Sequence, residues 1–217
     1  MKFIYILFTA LMFSACSNQA ASEASETQET LVDSIGTKFI VDQTTSTLVW
    51  SGSSVSGGHN GSINIQSGEI TLKNDVITSA NFTLDMTSIK NIDITDETKK
   101  GYLVGHLNDT DFFSTKVFPT GLFELTGVVV LTNDSMGNSH LVSGNLVLKG
   151  ISKNISFPAK VEITENEIKV NGNVILDRTN WGITYNSLTV FPNLKAKLKD
   201  KAINDNFIVG INVIAKK

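Results

Sequence analysis

Residues 154–178, NISFPAKVEITENEIKVNGNVILDR, decide the fold. Side chains of an extended chain alternate between two faces. Val161 and Ile163 fall on one face, Glu162 and Thr164 on the other. Glu165-Asn166 then has turn composition. Beyond it, Ile168, Val170, Gly172, Val174 and Leu176 again share one face. Two alternating runs joined by a short turn form an antiparallel hairpin with one buried and one wet side.

The same pattern extends outward. Thr, Val, Ile, Phe and Asn dominate from Thr37 onward, predicting strands over 38–42, 46–54, 61–71, 75–87, 121–132, 139–149, 154–164, 167–178 and 206–216. Phe82, Leu84 and Met86 oppose Asn81, Thr83 and Asp85. Phe123, Leu125 and Val129 share a face, and Phe207, Val209, Ile211 and Val213 close the series. Lys73-Asn74-Asp75 and Asn133-Asp134 with Gly137 read as further hairpin turns. Two stretches depart from the pattern. Thr95–Leu107 predicts a short helix, with Thr95 or Asp96 as N-cap and acidic residues in its first turn. In Leu194–Asn204, LKAKLKDKAIN, residues Leu194, Leu198 and Ala202 have helical spacing among lysines. Such a helix could touch a membrane surface, but an apolar face one residue wide favours packing on the sheet. Nine strands with few helices make an up-and-down barrel or a sandwich, which pattern alone does not separate. A barrel of about eight strands can enclose one small apolar ligand.

The N-terminus reads as an export signal. Lys2 is followed by Phe3–Phe13, apolar except for Thr9, and then by Ser14-Ala15. That run is too short to span a bilayer of roughly 30 Å. Cys16, directly after the small residues, resembles the lipid-attachment cysteine of a bacterial lipoprotein, although Phe13 stands where such signals usually carry Leu. The expected organisation is a signal over 1–15, a lipidated Cys16 with a disordered tether over 16–36, and one β domain over 37–217. Ser17–Gly36 is rich in Ser, Ala, Glu and Thr with almost nothing to bury. Fully extended, such a tether reaches at most ~70 Å. The expected location is the bacterial periplasm or cell envelope, anchored to a membrane.

Composition excludes several functions. The chain carries 18 Lys and Arg against 21 Asp and Glu, a net charge of −3. With no dense basic block, nucleic acid is not an expected partner. One cysteine allows neither an internal disulfide nor a Cys-based zinc site. No metal or cofactor is expected: His59, His106 and His140 lie far apart, and no phosphate-binding or dinucleotide-binding loop is present. His106, Asp111 and Ser114 invite a triad, yet they share one loop with no oxyanion motif, so no enzyme is expected.

Aromatic residues cluster instead. Phe112, Phe113, Phe118 and Phe123 fall within twelve residues, and Trp50, Phe82, Phe157 and Trp181 add large rings. They suit an ordinary core or the wall around a hydrocarbon ligand equally. Continuing the alternation past Leu176 lands on Arg178. A guanidinium aimed into an apolar interior needs an anionic partner. Candidates are a carboxylate near Asp177, Asp85 or Asp111, or a ligand head group such as a pyrophosphate.

Five segments in fixed order resemble the YceI-like family. They are Trp50 with Gly58-His59-Asn60-Gly61, Asp85–Ile89, GHLNDTDFFSTKVFPT from Gly105, GNLVLKGISKNISFP from Gly144, and LDRTNWGI from Leu176. The resemblance covers roughly residues 38–216. It departs at the lipoprotein-like leader and at the Leu194–Asn204 insert. It implies an all-β, lipocalin-like, extended antiparallel β-barrel of about eight strands with one or two short helices. It further implies binding of polyisoprenoids or isoprenoid quinones in an internal tunnel, with no established catalysis. Carried onto this chain, the expected ligand-binding residues are Trp50, Phe82, Leu84, Met86, Phe112, Phe113, Phe118, Phe123, Phe157 and Trp181. His106, Asp111 and Arg178 would sit near the mouth or brace the loop there. The expected partners are a long-chain amphiphilic lipid and the membrane, with a homodimer left open. The rival readings are a solid-core structural or interaction barrel and a hydrolase using the His106/Asp111 loop.

Overall fold

Alternation builds nine strands: β1 (Thr37–Val41), β2 (Thr47–Ser54), β3 (Gly57–Lys73), β4 (Val76–Asn91), β5 (Thr120–Val130), β6 (His140–Leu148), β7 (Ile151–Ile163), β8 (Glu167–Asp177) and β9 (Asn206–Lys216). Helix α1 (Glu97–Asn108) follows β4, and α2 (Lys195–Leu198) precedes β9. The computed structural model describes residues 22–33 and 35–217. The expected signal and Cys16 lie outside the described residues. From β2 to β9 each strand pairs antiparallel with the next, and β9 returns to β2. The ring of eight is therefore a closed barrel and not a sandwich, and closure removes the open edges. Strand β1 continues the stave that β2 begins, pairing with β3 at Glu69–Leu72 and with β9 at Ala215-Lys216.

Local chemistry sets the corners. Asn74 and Asp75 both take left-handed φ, 51° and 60°, as a two-residue hairpin turn requires. Lys149 and Gly150 do the same at 50° and 75°, so β7 starts at Ile151, earlier than alternation suggests. Asp96 caps α1, its carboxylate accepting from the amides of Thr98 (2.9 Å) and Lys99 (3.0 Å). The expected helix over Leu194–Asn204 is broken. A 3₁₀ turn, the four-residue α2 and a second 3₁₀ turn (Lys199–Lys201) replace it. Extended pairing with β2 wins there: Ile203 bridges Ser54, and the Asn204 amide donates to the Ser53 carbonyl. Leu198 and Ala202 are still buried, as the packing reading required.

The expectation of a disordered tether is corrected for Ser22–Asp33. This segment crosses the outside of β8, β7, β6 and β5 in turn. Strands β7 and β8 pair only through Ala159–Ile163 and Ile168–Gly172. Where they part, the Ser22 amide donates to the Ile175 carbonyl (2.7 Å) and its hydroxyl to the Ser156 carbonyl (2.7 Å). Ser25 exchanges two backbone hydrogen bonds with Asn154 (2.9 and 3.0 Å). The Asn145 amide group receives the Gln28 N–H (3.0 Å) and donates to the Gln28 carbonyl (2.8 Å). The Leu31 amide reaches the Leu125 carbonyl (2.8 Å), which the bulge between Leu125 and Gly127 leaves available. The segment has little to bury, so it docks by hydrogen bonds to outward polar residues. That mechanism is invisible to a hydrophobicity argument.

Asn145 is 2% exposed although it points outward, because this strap covers it. Asn145→Ala is expected to lower stability by about 1–3 kcal/mol, since it removes three hydrogen bonds at a buried site. For a chain of this size that corresponds to a fall of roughly 3–10 °C in Tm. Thermal unfolding reads the loss, and hydrogen exchange should rise over residues 22–31.

Candidate functional site

The inward faces of β2–β9 enclose a cavity of about 470 Å³ that runs along the barrel. Its walls are almost wholly apolar, with Ile65, Ile70, Val142, Leu146, Ile155 and Val174 among the buried lining. Polar groups gather at one end, on the β2–β3 hairpin (Ser53, Ser54, Ser56, His59), on α1 (His106) and on the β8–β9 connection (Arg178, Lys201, Asn204). Most of these are exposed, so the cavity meets solvent there.

Close approach of backbone keeps the bore open. An added Cβ on Gly144 would stand 2.2 Å from the Phe123 ring, and one on Gly68 would stand 2.6 Å from Phe82. The rings therefore lie flat on the wall over these glycines. Phe82, Phe123 and Phe157 follow one another at centroid distances of 6.0 and 6.3 Å. At the rim, His106 lies edge-on between Phe112 (4.8 Å) and Tyr185 (4.7 Å).

Trp50, Phe82, Leu84, Met86, Phe112, Phe113, Phe123 and Phe157 line the cavity, with His106 and Arg178 at its rim. Phe118 and Trp181, expected on the lining, do not line it, and Asp111, expected near the mouth or bracing its loop, stands outside the lining as well. Asp111 is exposed on the loop after α1. Phe118 packs over Gly150, where an added Cβ would be 2.8 Å from its ring. Trp181 is wholly buried outside the lining and donates its indole N–H to the Leu146 carbonyl (3.0 Å). Phe118 and Trp181 pack the loops around the rim, which pattern cannot distinguish from the bore.

Arg178 faces inward as alternation demands and is 4% exposed. Its partner is neither Asp85 nor Asp111. Nη2 lies 3.0 Å from Asp205 Oδ1. The guanidinium also donates to the carbonyls of Asn204 (3.2 Å), Ile183 (2.7 Å) and Ile203 (3.1 Å). Asp177 instead caps the following 3₁₀ turn through Thr179. Burial lowers the arginine's pKa, and Asp205 and Asp177 oppose that fall. The charge is thus satisfied within the protein, and its place is to hold the β8–β9 connection over the rim. Asp205 was legible in principle: the register that pairs Asp177 with Asn206 sets the next residue, Arg178, opposite it.

A second carboxylate sits beside the mouth. Asp93 Oδ2 lies 2.8 Å from His59 Nδ1, and Oδ1 accepts from the Asn60 amide (2.9 Å). His59 first, then the Asn60 amide, hold the Asp93 pKa down at about 2. His106, Asp111 and Ser114 form no hydrogen-bonded set among the described residues. Ser114 is buried in a left-handed turn while Asp111 points to solvent. The arrangement offers apolar burial with a polar end.

The YceI-like domain profile matches residues 39–215. BcnA of Burkholderia cenocepacia has a TM-score of 0.60 at 16% identity, over 81% of this chain and 99% of its own. A polyisoprenoid-binding domain from Saccharophagus degradans, implicated in plant cell wall breakdown, gives 0.56 at 16% identity, over 82% and 97%. A Campylobacter jejuni YceI protein gives 0.51 at 19% identity, over 71% and 84%. No curated protein matches the chain. At these identities the likeness to solved structures speaks for the fold. The family match, which spans every barrel strand, carries the assignment: the chain belongs to the YceI-like family.

Proposed function

We propose that this protein is a carrier for a long isoprenoid lipid, tethered in the periplasm by a lipid on Cys16. The observation that carries the reading is the bore itself: an apolar tunnel of about 470 Å³ with polar groups at one end. An amphiphile fits that division, with its chain inside and its head group among His59, His106 and Lys201. Each methylene withdrawn from water contributes ~0.8 kcal/mol, so a chain of several isoprene units needs no specific polar contact to be held. The family and the polyisoprenoid-binding domain of Saccharophagus degradans support the ligand class. No covalent step is assigned, and the scattered His106, Asp111 and Ser114 give none a place.

Purified protein, exposed to membrane extract and then extracted with organic solvent, should release a prenyl lipid at close to one per barrel by mass spectrometry. Recovery of none would sink the carrier reading. In the same cells, Cys16→Ser should move the protein from the membrane to the soluble fraction, and retention at the membrane would refute the anchor.

A further inference from the structure

The β8–β9 connection uses only its inner edge to frame the tunnel. Its outer side presents Lys195, Lys197, Lys199 and Lys201, all exposed, and Asp200 is the one acidic residue from Thr184 to Asn204. Seven lysines elsewhere are ion-paired; these four pair with no acid among the described residues, and the other unpaired lysines are scattered singly along the chain. Beside them Val190 and Phe191 are each 41% exposed. An unpaired basic cluster next to exposed apolar side chains, on a chain of net charge −3, has the composition of a contact with anionic lipid head groups. Lys201 belongs to both this cluster and the tunnel rim.

A second observation points to the same end. The Ser22 amide is bound to Ile175, near the end of β8. Ile175 shares a shallow depression with Thr189 and Asn204 of this connection. Between Cys16 and Ser22 only six intervening peptide steps remain, which reach at most ~22 Å. A lipid on Cys16 would thus bring this rim within reach of the bilayer.

We infer that Val190–Lys201 is a docking surface for anionic phospholipid head groups that sets the tunnel mouth on the membrane. On the α1 side of the rim, exposed Asp96, Glu97, Asp109 and Asp111 offset Lys99, Lys100 and Lys116, so no unopposed basic cluster stands there. Its purpose rests on the carrier reading, but its test does not. The full chain is mixed with vesicles of phosphatidylcholine alone, or with one quarter phosphatidylglycerol, and the bound fraction is measured by co-sedimentation. Every arm contains the same leader, so only the difference between compositions counts. Each engaged lysine contributes about fivefold. The wild-type chain should bind the anionic vesicles at least tenfold better, and 0.5 M salt should abolish the preference. The fourfold variant Lys195→Gln, Lys197→Gln, Lys199→Gln, Lys201→Gln should show less than a twofold preference while melting as the wild type does. Equal binding to both compositions, or a preference that survives in the variant, overturns the inference. Uptake of a dansylated prenyl alcohol without vesicles is followed in parallel. Lost uptake with an intact anionic preference removes the carrier reading and leaves the docking surface standing.

Discussion

Arg178→Met is expected to destabilise the protein by about 3–5 kcal/mol, the usual loss when one partner of a buried ion pair is removed. The substitution leaves Asp205 charged without its guanidinium. It also strips the carbonyls of Ile183, Ile203 and Asn204 of their donor. Denaturant unfolding measures the change, and Tm should fall by roughly 6–20 °C. Arg178→Lys should rescue little, because one ammonium cannot reproduce a planar fork that serves three carbonyls while lying beside a carboxylate. The double variant Arg178→Met, Asp205→Leu should recover part of the loss, since it removes the orphaned charge. A single variant as stable as the wild type would show that the connection does not depend on this arginine. If the arginine mainly served a ligand, affinity would fall with stability unchanged.

Period-two alternation placed nine strands because one face of each is buried in the barrel, and inward Arg178 was reached by counting alone. Its partner was not, because Asp205 lies on the far side of a long connection, and only the β8–β9 register brings the two together. The aromatic residues carried the same limit. Phe82 and Phe123 sit on strands whose alternation already grouped them with bore residues, and Phe157 lines the bore in the same parity as Val161. Phe118 sits on a loop and Trp181 on a 3₁₀ turn, where no strand period relates a residue to an inside. The strap was lost for a different reason. Ser22–Asp33 looks disordered by composition, and its docking depends on Asn145, Asn154 and Ser156, outward residues that seemed ordinary on a wet face. Segments that resembled the family prove to be structural devices: Gly144 gives the Phe123 ring its place, Asn145 holds the strap, and Lys149-Gly150 makes the corner.

Ala80→Phe should abolish tight lipid binding while sparing the fold, and this pairing of outcomes separates a hollow barrel from a solid one. Ala80 lines the tunnel on β4, opposite Ile70 of β3. A phenyl group there occupies about the space of five methylenes of ligand chain. At ~0.8 kcal/mol each, that is a loss of about 4 kcal/mol, or several hundredfold in affinity. In a filled core the same substitution would overpack and cost about 1–3 kcal/mol of stability. In an open bore it gains apolar contacts, so Tm should hold or rise. Titration with the dansylated prenyl alcohol measures the first quantity and thermal unfolding the second. Unchanged affinity with a lower Tm would mean that ligand chains do not enter between β3 and β4. The short prenyl chains should suffer least, because they can remain near the mouth at His106 and never reach Ala80. A loss that grows with chain length is thus the particular signature of a ligand lying lengthwise in the barrel.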